Sequence, residues 1–272
     1  MVMIRWTGTA GVECTDGDKT VLIDPYHSRS GKNEIFFGWP EPKSDLIERY
    51  LETLPGRVSA IIAGHTHLDH VLDIPIFARH LACPLIGSAS LETLMVLYGK
   101  PGTVTVCKGG ERIELPGGTA VTMIRSLHGL VLGGKTPYQG EINPENRLPM
   151  RAREYRLGDM YMPKVEMGGV IIMHAGSANF IESEIEGHCC DVLFMCVPGW
   201  KKIPEYCTRL PEILQPKLII PFHYDDFFSP ISKDGRVRTL PFLDMAGFLK
   251  RVSASAPRAE IRTIRPFESL IV

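Results

Sequence analysis

Four side chains able to bind a metal fall within six residues, in the run His65-Thr66-His67-Leu68-Asp69-His70. Imidazole and carboxylate are the donors that a borderline cation such as zinc takes. In an extended segment His65 and His67 project to the same side, so both can reach one cation. A turn after His67 would present Asp69 and His70 to a neighbouring position. Neither one helix nor one straight strand can aim all four inward, so the fold must supply a loop on a rigid support. The apolar, β-branched stretch from Val58 to Ala63 reads as that support, a short buried strand that runs directly into the cluster. The plain alternative is a polar turn with incidental histidines, and the density of donors argues against it.

The rest of the chain can enclose such a loop. Its 272 residues are 44% hydrophobic, enough for one full core, and no break in composition marks a second domain. Residues 2–6, 10–14 and 20–24 read as strands, the last two joined by an Asp16-Gly17 hairpin turn. A Pro/Gly/aromatic loop follows over 25–42. A helix is expected from about Asp45, with Glu48 as a capping-box partner and Leu46, Ile47, Tyr50, Leu51 and Leu54 as its apolar stripe. Further helices are expected over 73–81 and 89–98, the second stopped by Gly99. An extended piece over 84–87 and strands over 103–107, 111–115 and 119–125 accompany them. After the aperiodic segment 130–166 come a strand from Gly168 to Met173, a helix over 180–187, a strand over 190–197, a helix over 204–214 and a strand over 217–221. A helix near 240–252 and a strand near 260–264 close the chain. The order is β-rich segments and then βα units, twice over. It predicts an α+β, four-layer αβ/βα sandwich: two mixed β-sheets packed face to face with helices outside, in a single domain over 1–272.

Charge and cysteine content narrow the function classes. A net charge of -1 gives no reason to expect nucleic acid or an anionic membrane as a partner. The N-terminal Met1–Gly8 lacks a secretory pattern, and no apolar run approaches the roughly 20 residues that span a bilayer. The seven cysteines are odd in number and form no C-x-x-C pair, which fits a reduced, cytoplasmic protein without structural disulfides. A small-molecule substrate is the expected partner. Self-association into a symmetric oligomer is left open.

The run H-T-H-L-D-H resembles the signature loop of the metallo-β-lactamase superfamily, and further segments extend the resemblance. Thr20-Val21-Leu22-Ile23-Asp24-Pro25 is similar to the family's early hairpin strand, whose Asp braces the metal loop. Ser126-Leu127-His128-Gly129 is similar to the segment supplying its third His, and Ile219-Ile220-Pro221-Phe222-His223-Tyr224 to the late strand-end His. The short N-terminal hairpin and the Pro-Phe-His-Tyr element look closest to the ascorbate-6-phosphate lactonase-like branch. The resemblance implies that His65, His67 and His128 hold one ion, Zn2+ or Mn2+, and that Asp69, His70 and His223 hold a second. It implies a metal-activated hydroxide attacking a lactone, ester, amide or phosphodiester, with Asp69 orienting the nucleophile and His223 available to the oxyanion if the second metal is absent. Asp24, Ser177 and His174 would stand behind the ligands and orient them.

One position departs from the family. Where Gly-Asp-Thr or Gly-Asp-Ser usually follows the strand ending at His174, this chain reads Ala175-Gly176-Ser177-Ala178. Ser177 thus replaces the carboxylate that bridges the two metals, and a hydroxyl compensates their repulsion poorly. One ion, two ions bridged by hydroxide, or another acid reaching in (Glu182, Asp225 or Asp226) are the alternatives. A metal-binding protein with reduced or lost catalysis is the second functional reading. Segment 130–166, with Arg147, Arg151, Arg153, Arg156, Tyr138, Tyr155 and Tyr161, is placed to overhang the metals as a lid for an anionic substrate. A solvated loop or an oligomer contact would explain it equally. The loop over 27–42, with Phe36, Phe37 and Trp39, is a second candidate wall. No individual substrate-binding residue is assigned.

Overall fold

A computed structural model of the chain describes residues 1–203, 205–231 and 237–272. The first sheet contains β1 (Met3–Gly8), β2 (Gly11–Thr15), β3 (Lys19–Ile23), β4 (Arg57–Ile62), β5 (Leu85–Gly87) and β6 (Val104–Val106). The second contains β7 (Arg112–Leu115), β8 (Thr119–Arg125), β9 (Tyr161–Met167), β10 (Val170–Ala175), β11 (Val192–Cys196), β12 (Leu218–Phe222) and β13 (Glu260–Ile261). The C-terminal β14 (Ser269–Ile271) returns to the first sheet. Among the described residues the strand orders are β14-β1-β2-β3-β4-β5-β6 and β13-β12-β11-β10-β9-β8-β7. Both sheets are mixed: β3 pairs antiparallel with β2 and parallel with β4, and β10 pairs antiparallel with β9 and parallel with β11. The predicted α+β sandwich is the observed architecture.

Strand alternation builds the layers. Val21, Ile23, Ala60 and Ile62 point into one core with Val121, Met123, Val165 and Leu193 of the opposite sheet. Leu22 and Ile61 point the other way, into a second core. That core is completed by α2 (Ser44–Leu51), α4 (Ile74–His80) and α5 (Ala89–Leu97). Each Val, Leu, Ile or Met side chain among these contributes about 1.5–3 kcal/mol by leaving water. Between these helices and on the other outer face lie α1 (Lys32–Phe37), α3 (Leu68–Val71), α6 (Glu182–Ile185), α7 (Arg209–Leu214) and α8 (Met245–Ser255). Turn chemistry agrees with the sequence. Gly17 has φ +100° in the β2–β3 hairpin, and Gly99 has φ +71° where α5 ends.

Several expectations are corrected. The lid over 130–166 ends earlier, because residues 161–167 form β9 in the middle of the second sheet. Pro163 hid this strand, since proline donates nothing to a ladder. The β10 ladder on β9 runs only from Met167 to Lys164, so Pro163 lies just past it and pairs with β8 alone. The loop 25–42 contains the short helix α1. Glu48 does not cap α2: its N-cap is Lys43, with no side-chain bond, and Glu48 faces His80 at 3.6 Å. The helix expected over 204–214 is regular only from Arg209, and its first residue lies outside the described ones. The strand expected near 260–264 is reduced to Glu260–Ile261, and β14 was not foreseen. All seven cysteines are free thiols.

Candidate metal centre

The histidines gather where strands of both sheets end. β4 leads through Ala63-Gly64 into His65, and His67 is the extended N-cap residue of α3, which carries Asp69 and His70 in its single turn. β8 leads to His128 and β12 to His223. Ligand atoms of His65, His67 and His128 lie within 4.8 Å of one another, and so do those of Asp69, His70 and His223. The two predicted triads are therefore assembled, the first from segments 61 residues apart (His67 and His128) and the second from segments 153 apart (His70 and His223). The neighbouring rings of His65 and His70 join them, with centroids 3.7 Å apart.

Hydrogen bonds fix which nitrogen each ring presents. His70 donates through Nδ1 to Asp24 Oδ2 at 2.7 Å, leaving Nε2 toward Asp69, 3.9 Å from Oδ2. His128 donates through Nδ1 to the Gly129 carbonyl at 2.7 Å, leaving Nε2 free. His67 donates through Nε2 to the Pro137 carbonyl at 3.2 Å, leaving Nδ1 to face His65 Nε2 at 3.1 Å. Outer acceptors of this kind hold an imidazole in its ligand tautomer. Burial pushes the pKa of His65 well below normal, that of His67 down to about 3 and that of His128 down to about 4. All three are neutral, with lone pairs available. Burial also opposes charge on His70, but Asp24 and Asp69 outweigh it and raise its pKa. Asp69 likewise resists its burial, because His70 and His223 hold its carboxyl well below the usual carboxylate range. His223 Nε2 lies 3.3 Å from Asp69 Oδ2, while its buried Nδ1 has no protein partner. A mixed imidazole–carboxylate set with convergent lone pairs fits a zinc-type cation.

The residues behind the ligands are also in place. Asp24, fully buried with φ +47°, accepts from Gly64 N–H through Oδ1 at 2.7 Å as well as from His70. Ligand atoms of Asp24, His65 and His70 also lie within 4.8 Å of one another. Both Asp24 oxygens are already engaged, so it serves better as an orienting group. His174, inside β10, donates to the Ala10 carbonyl at 2.8 Å and lies 3.9 Å from Asp24. Ser177 Oγ accepts from Gly129 N–H at 2.9 Å, so it braces the loop of His128.

None of the alternative acids replaces the missing carboxylate. Glu182 pairs with Arg209. Asp225 is buried against Arg29 and Thr9 N–H, and Asp226 accepts from Ser229.

Segment 130–160 is tied to the metal loop. Thr66 donates to the Leu157 and Arg156 carbonyls, and His67 to that of Pro137. Sequence reasoning missed this backbone clamp, because carbonyl acceptors leave no signature in residue identity. Of the aromatic residues singled out in this region, Tyr138 stands beside His67 with ring centroids 6.2 Å apart, whereas Tyr155 and Tyr161 are buried in the core. Arg147 and Arg153 are exposed, Arg156 donates to Gln139, and Arg151 lies 4.4 Å over the Trp39 ring. Phe227, whose ring meets that of His223, also went unnoticed, although an aromatic pair four residues after the histidine was a readable signal.

Comparison with known proteins follows the same lines. The sequence profile of the beta-lactamase superfamily domain matches residues 3–223. A UPF0173 metal-dependent hydrolase of Anaeromyxobacter sp. (strain K) is 28% identical over 235 residues, covering 82% of this chain and 75% of its own. One from Pyrobaculum islandicum is 23% identical over 274 residues and covers 99% of both chains. Among solved structures, Igni18, a metallo hydrolase from the archaeon Ignicoccus hospitalis, shares the fold with a TM-score of 0.64 at 18% identity, over 99% of this chain and 97% of its own.

Proposed function

This chain belongs to the metallo-β-lactamase superfamily, and from that premise we propose that it is a metal-dependent hydrolase of small substrates. The observation that carries the reading is the convergence of imidazole lone pairs whose outer nitrogens are fixed by Asp24, Gly129 and Pro137. In this reading His65, His67 and His128 hold one ion and Asp69, His70 and His223 a second, with zinc or manganese as the expected metals. A divalent cation supplies Lewis acidity and hydroxide near neutral pH.

The chain's own groups do the rest. Asp69 stays ionised and is less enclosed than His70 and His223, so it can orient the attacking water and carry a proton toward the leaving group. Where the second position holds no ion, His223, beside Asp69, can donate to developing negative charge on the substrate oxygen. Asp24 holds the His70 tautomer, and Ser177 holds the turn after His128. His174 backs Asp24 from inside β10. The clamp through Thr66 makes segment 130–160 a fixed wall rather than a swinging lid.

The finer reading is a lactone, ester, amide or phosphodiester substrate, with the ascorbate-6-phosphate lactonase-like branch in first place. It is supported by the Pro221-Phe222-His223-Tyr224 element and by the cations Lys32 and Arg151 on ring faces in the loop 27–42 region. Metal binding with reduced or lost catalysis is the second reading, favoured by the engagement of Ser177 with Gly129 in place of a bridging acid. No helix among the described residues is long and apolar enough to cross a membrane. We place the protein in the cytoplasm, acting on a small molecule without nucleic acid, and homo-oligomerisation is compatible with this reading.

The test is a panel of lactones, thioesters and phosphodiesters on zinc- and manganese-loaded protein, with Asp69→Ala alongside. Turnover of one class, reduced by about 10²–10⁴ in the variant with its fold intact, is the expected result. Bound metal without turnover across the panel would favour the second reading. Full activity in Asp69→Ala would remove the role given to that carboxylate.

A further inference from the structure

A path of phenyl rings leads from His223 to the surface. Phe227 meets the His223 ring edge-on, with centroids 5.4 Å apart. Phe228 lies 4.4 Å from Phe227, Phe36 stacks on Phe228 at 5.9 Å, and Phe37 follows at 6.5 Å. Exposure rises along the path: Phe227 and Phe228 are half-buried, Phe36 is 58% exposed and Phe37 79%. These last two sit on α1, which buries none of its residues, so core packing does not account for them. A single exposed apolar side chain is ordinary, but a contiguous run that starts at a candidate metal ligand is not.

We propose that this path is the binding strip for an aromatic or extended apolar group carried next to the scissile bond of the substrate. The proposal rests on the hydrolase reading of the metal centre and specifies its substrate class. Two observations favour a substrate group over a protein partner. The strip begins at the ring that meets His223, so a group lying along its inner end is held beside the candidate metal ligands. The exposed fractions of Phe36, Phe37 and nearby Trp39 (52%) leave no more than about 500 Å² between them. A stable protein interface needs about 800 Å² per side. The strip also has a charge preference. Lys32 lies 5.8 Å over Phe228 and Arg151 lies 4.4 Å over the neighbouring Trp39, so the strip already carries two positive charges that would repel a cationic group. The distal group is therefore neutral or anionic.

A matched pair of metal-directed probes tests this without requiring turnover. Acetohydroxamate and 4-phenylbenzohydroxamate share the chelating group and differ only in the rings that would lie along the strip. Binding to the zinc-loaded full chain is measured by calorimetry for the wild type, Phe36→Ser and Phe228→Ala, with circular dichroism to check folding. Phe36 is exposed, so its variant should fold even if Phe228→Ala does not. The wild type should prefer the biaryl compound by about 10- to 100-fold. In the variants that preference should fall to within about threefold, with acetohydroxamate affinity unchanged.

A wild type with no preference, or variants that keep it, would overturn the proposal. So would a wild-type dimer that becomes monomeric in Phe36→Ser, since the strip would then serve self-association. Failure of both probes to bind would overturn the metal centre and this proposal with it. A strip-dependent preference in a protein that hydrolyses nothing would sink the hydrolase reading alone and leave the strip standing.

Discussion

Asp24→Asn probes how the centre is held, because it removes one acceptor and changes almost nothing else. The carboxylate receives two donors, Gly64 N–H on Oδ1 at 2.7 Å and His70 Nδ1–H on Oδ2 at 2.7 Å. Asparagine is nearly isosteric and tolerates the φ of +47° found here, so the backbone should stay in place. It has only one acceptor oxygen, however, and its amide must face one of the two donors. The Gly64 N–H cannot change. The imidazole can, by moving its proton to Nε2, the atom that looks toward Asp69. That move removes the lone pair offered to the second metal position. The alternative is to leave a buried donor unpaired, at about 1–3 kcal/mol. Either route should weaken the second position by about 10- to 100-fold, in line with losses at residues that orient metal ligands. The first position, on His65, His67 and His128, should change by less than about threefold. The assay equilibrates wild type and variant against chelator-buffered zinc and counts bound equivalents by mass spectrometry. Equal weakening of both equivalents would mean that Asp24 acts on the whole cluster, as the grouping with His65 would have it. Unchanged binding of both would refute the tautomer argument.

Two further outcomes follow from the same geometry. His67 and His128 have folded pKa values of about 3 and about 4, against about 6.5 when unfolded, so the unfolded chain takes up their protons first as pH falls. Metal-free protein should therefore lose stability below about pH 6.5, by about 2 kcal/mol between about pH 6 and pH 5 from these two groups. The raised pKa of His70 does not offset this, since its contribution is already complete below pH 6.5 and is lost only at higher pH. Thermal melts in chelator across that range check the slope, and a flat profile would contradict it. Ser177→Ala leaves the Gly129 N–H without its acceptor, which should cost about 1–3 kcal/mol in stability and weaken the His128-containing position about tenfold. Chelator competition and a melt measure both, and wild-type values would show that the His128 turn is held by other contacts.

The local sequence determined much of this protein. His65 to His70 could be read as a metal loop because the ligands are neighbours in the chain and the strand before them is apolar but for Ser59. The order of β-rich segments followed by βα units, twice over, announced two sheets with helices outside. The turns at Gly17 and Gly99 were legible because positive φ favours glycine. His128 and His223 came from resemblance, since residues so distant carry no spacing rule of their own.

Tertiary structure decided what the ligands can do. The free nitrogens of His67, His128 and His70 are chosen by a carbonyl at Pro137, a carbonyl at Gly129 and a carboxylate at Asp24. Backbone acceptors are the same at every residue, so no residue type could mark the first two. β9 was masked by Pro163, which is tolerated only because the β10 ladder stops at Lys164. Phe36 and Phe37 were legible as a candidate wall, but their link to His223 through Phe228 and Phe227 was not, because those ring contacts join segments distant in the chain. Ser177 combines the two levels. The chain announces the absent acid, and only the folded arrangement commits its hydroxyl to Gly129, because that contact joins strand ends 48 residues apart.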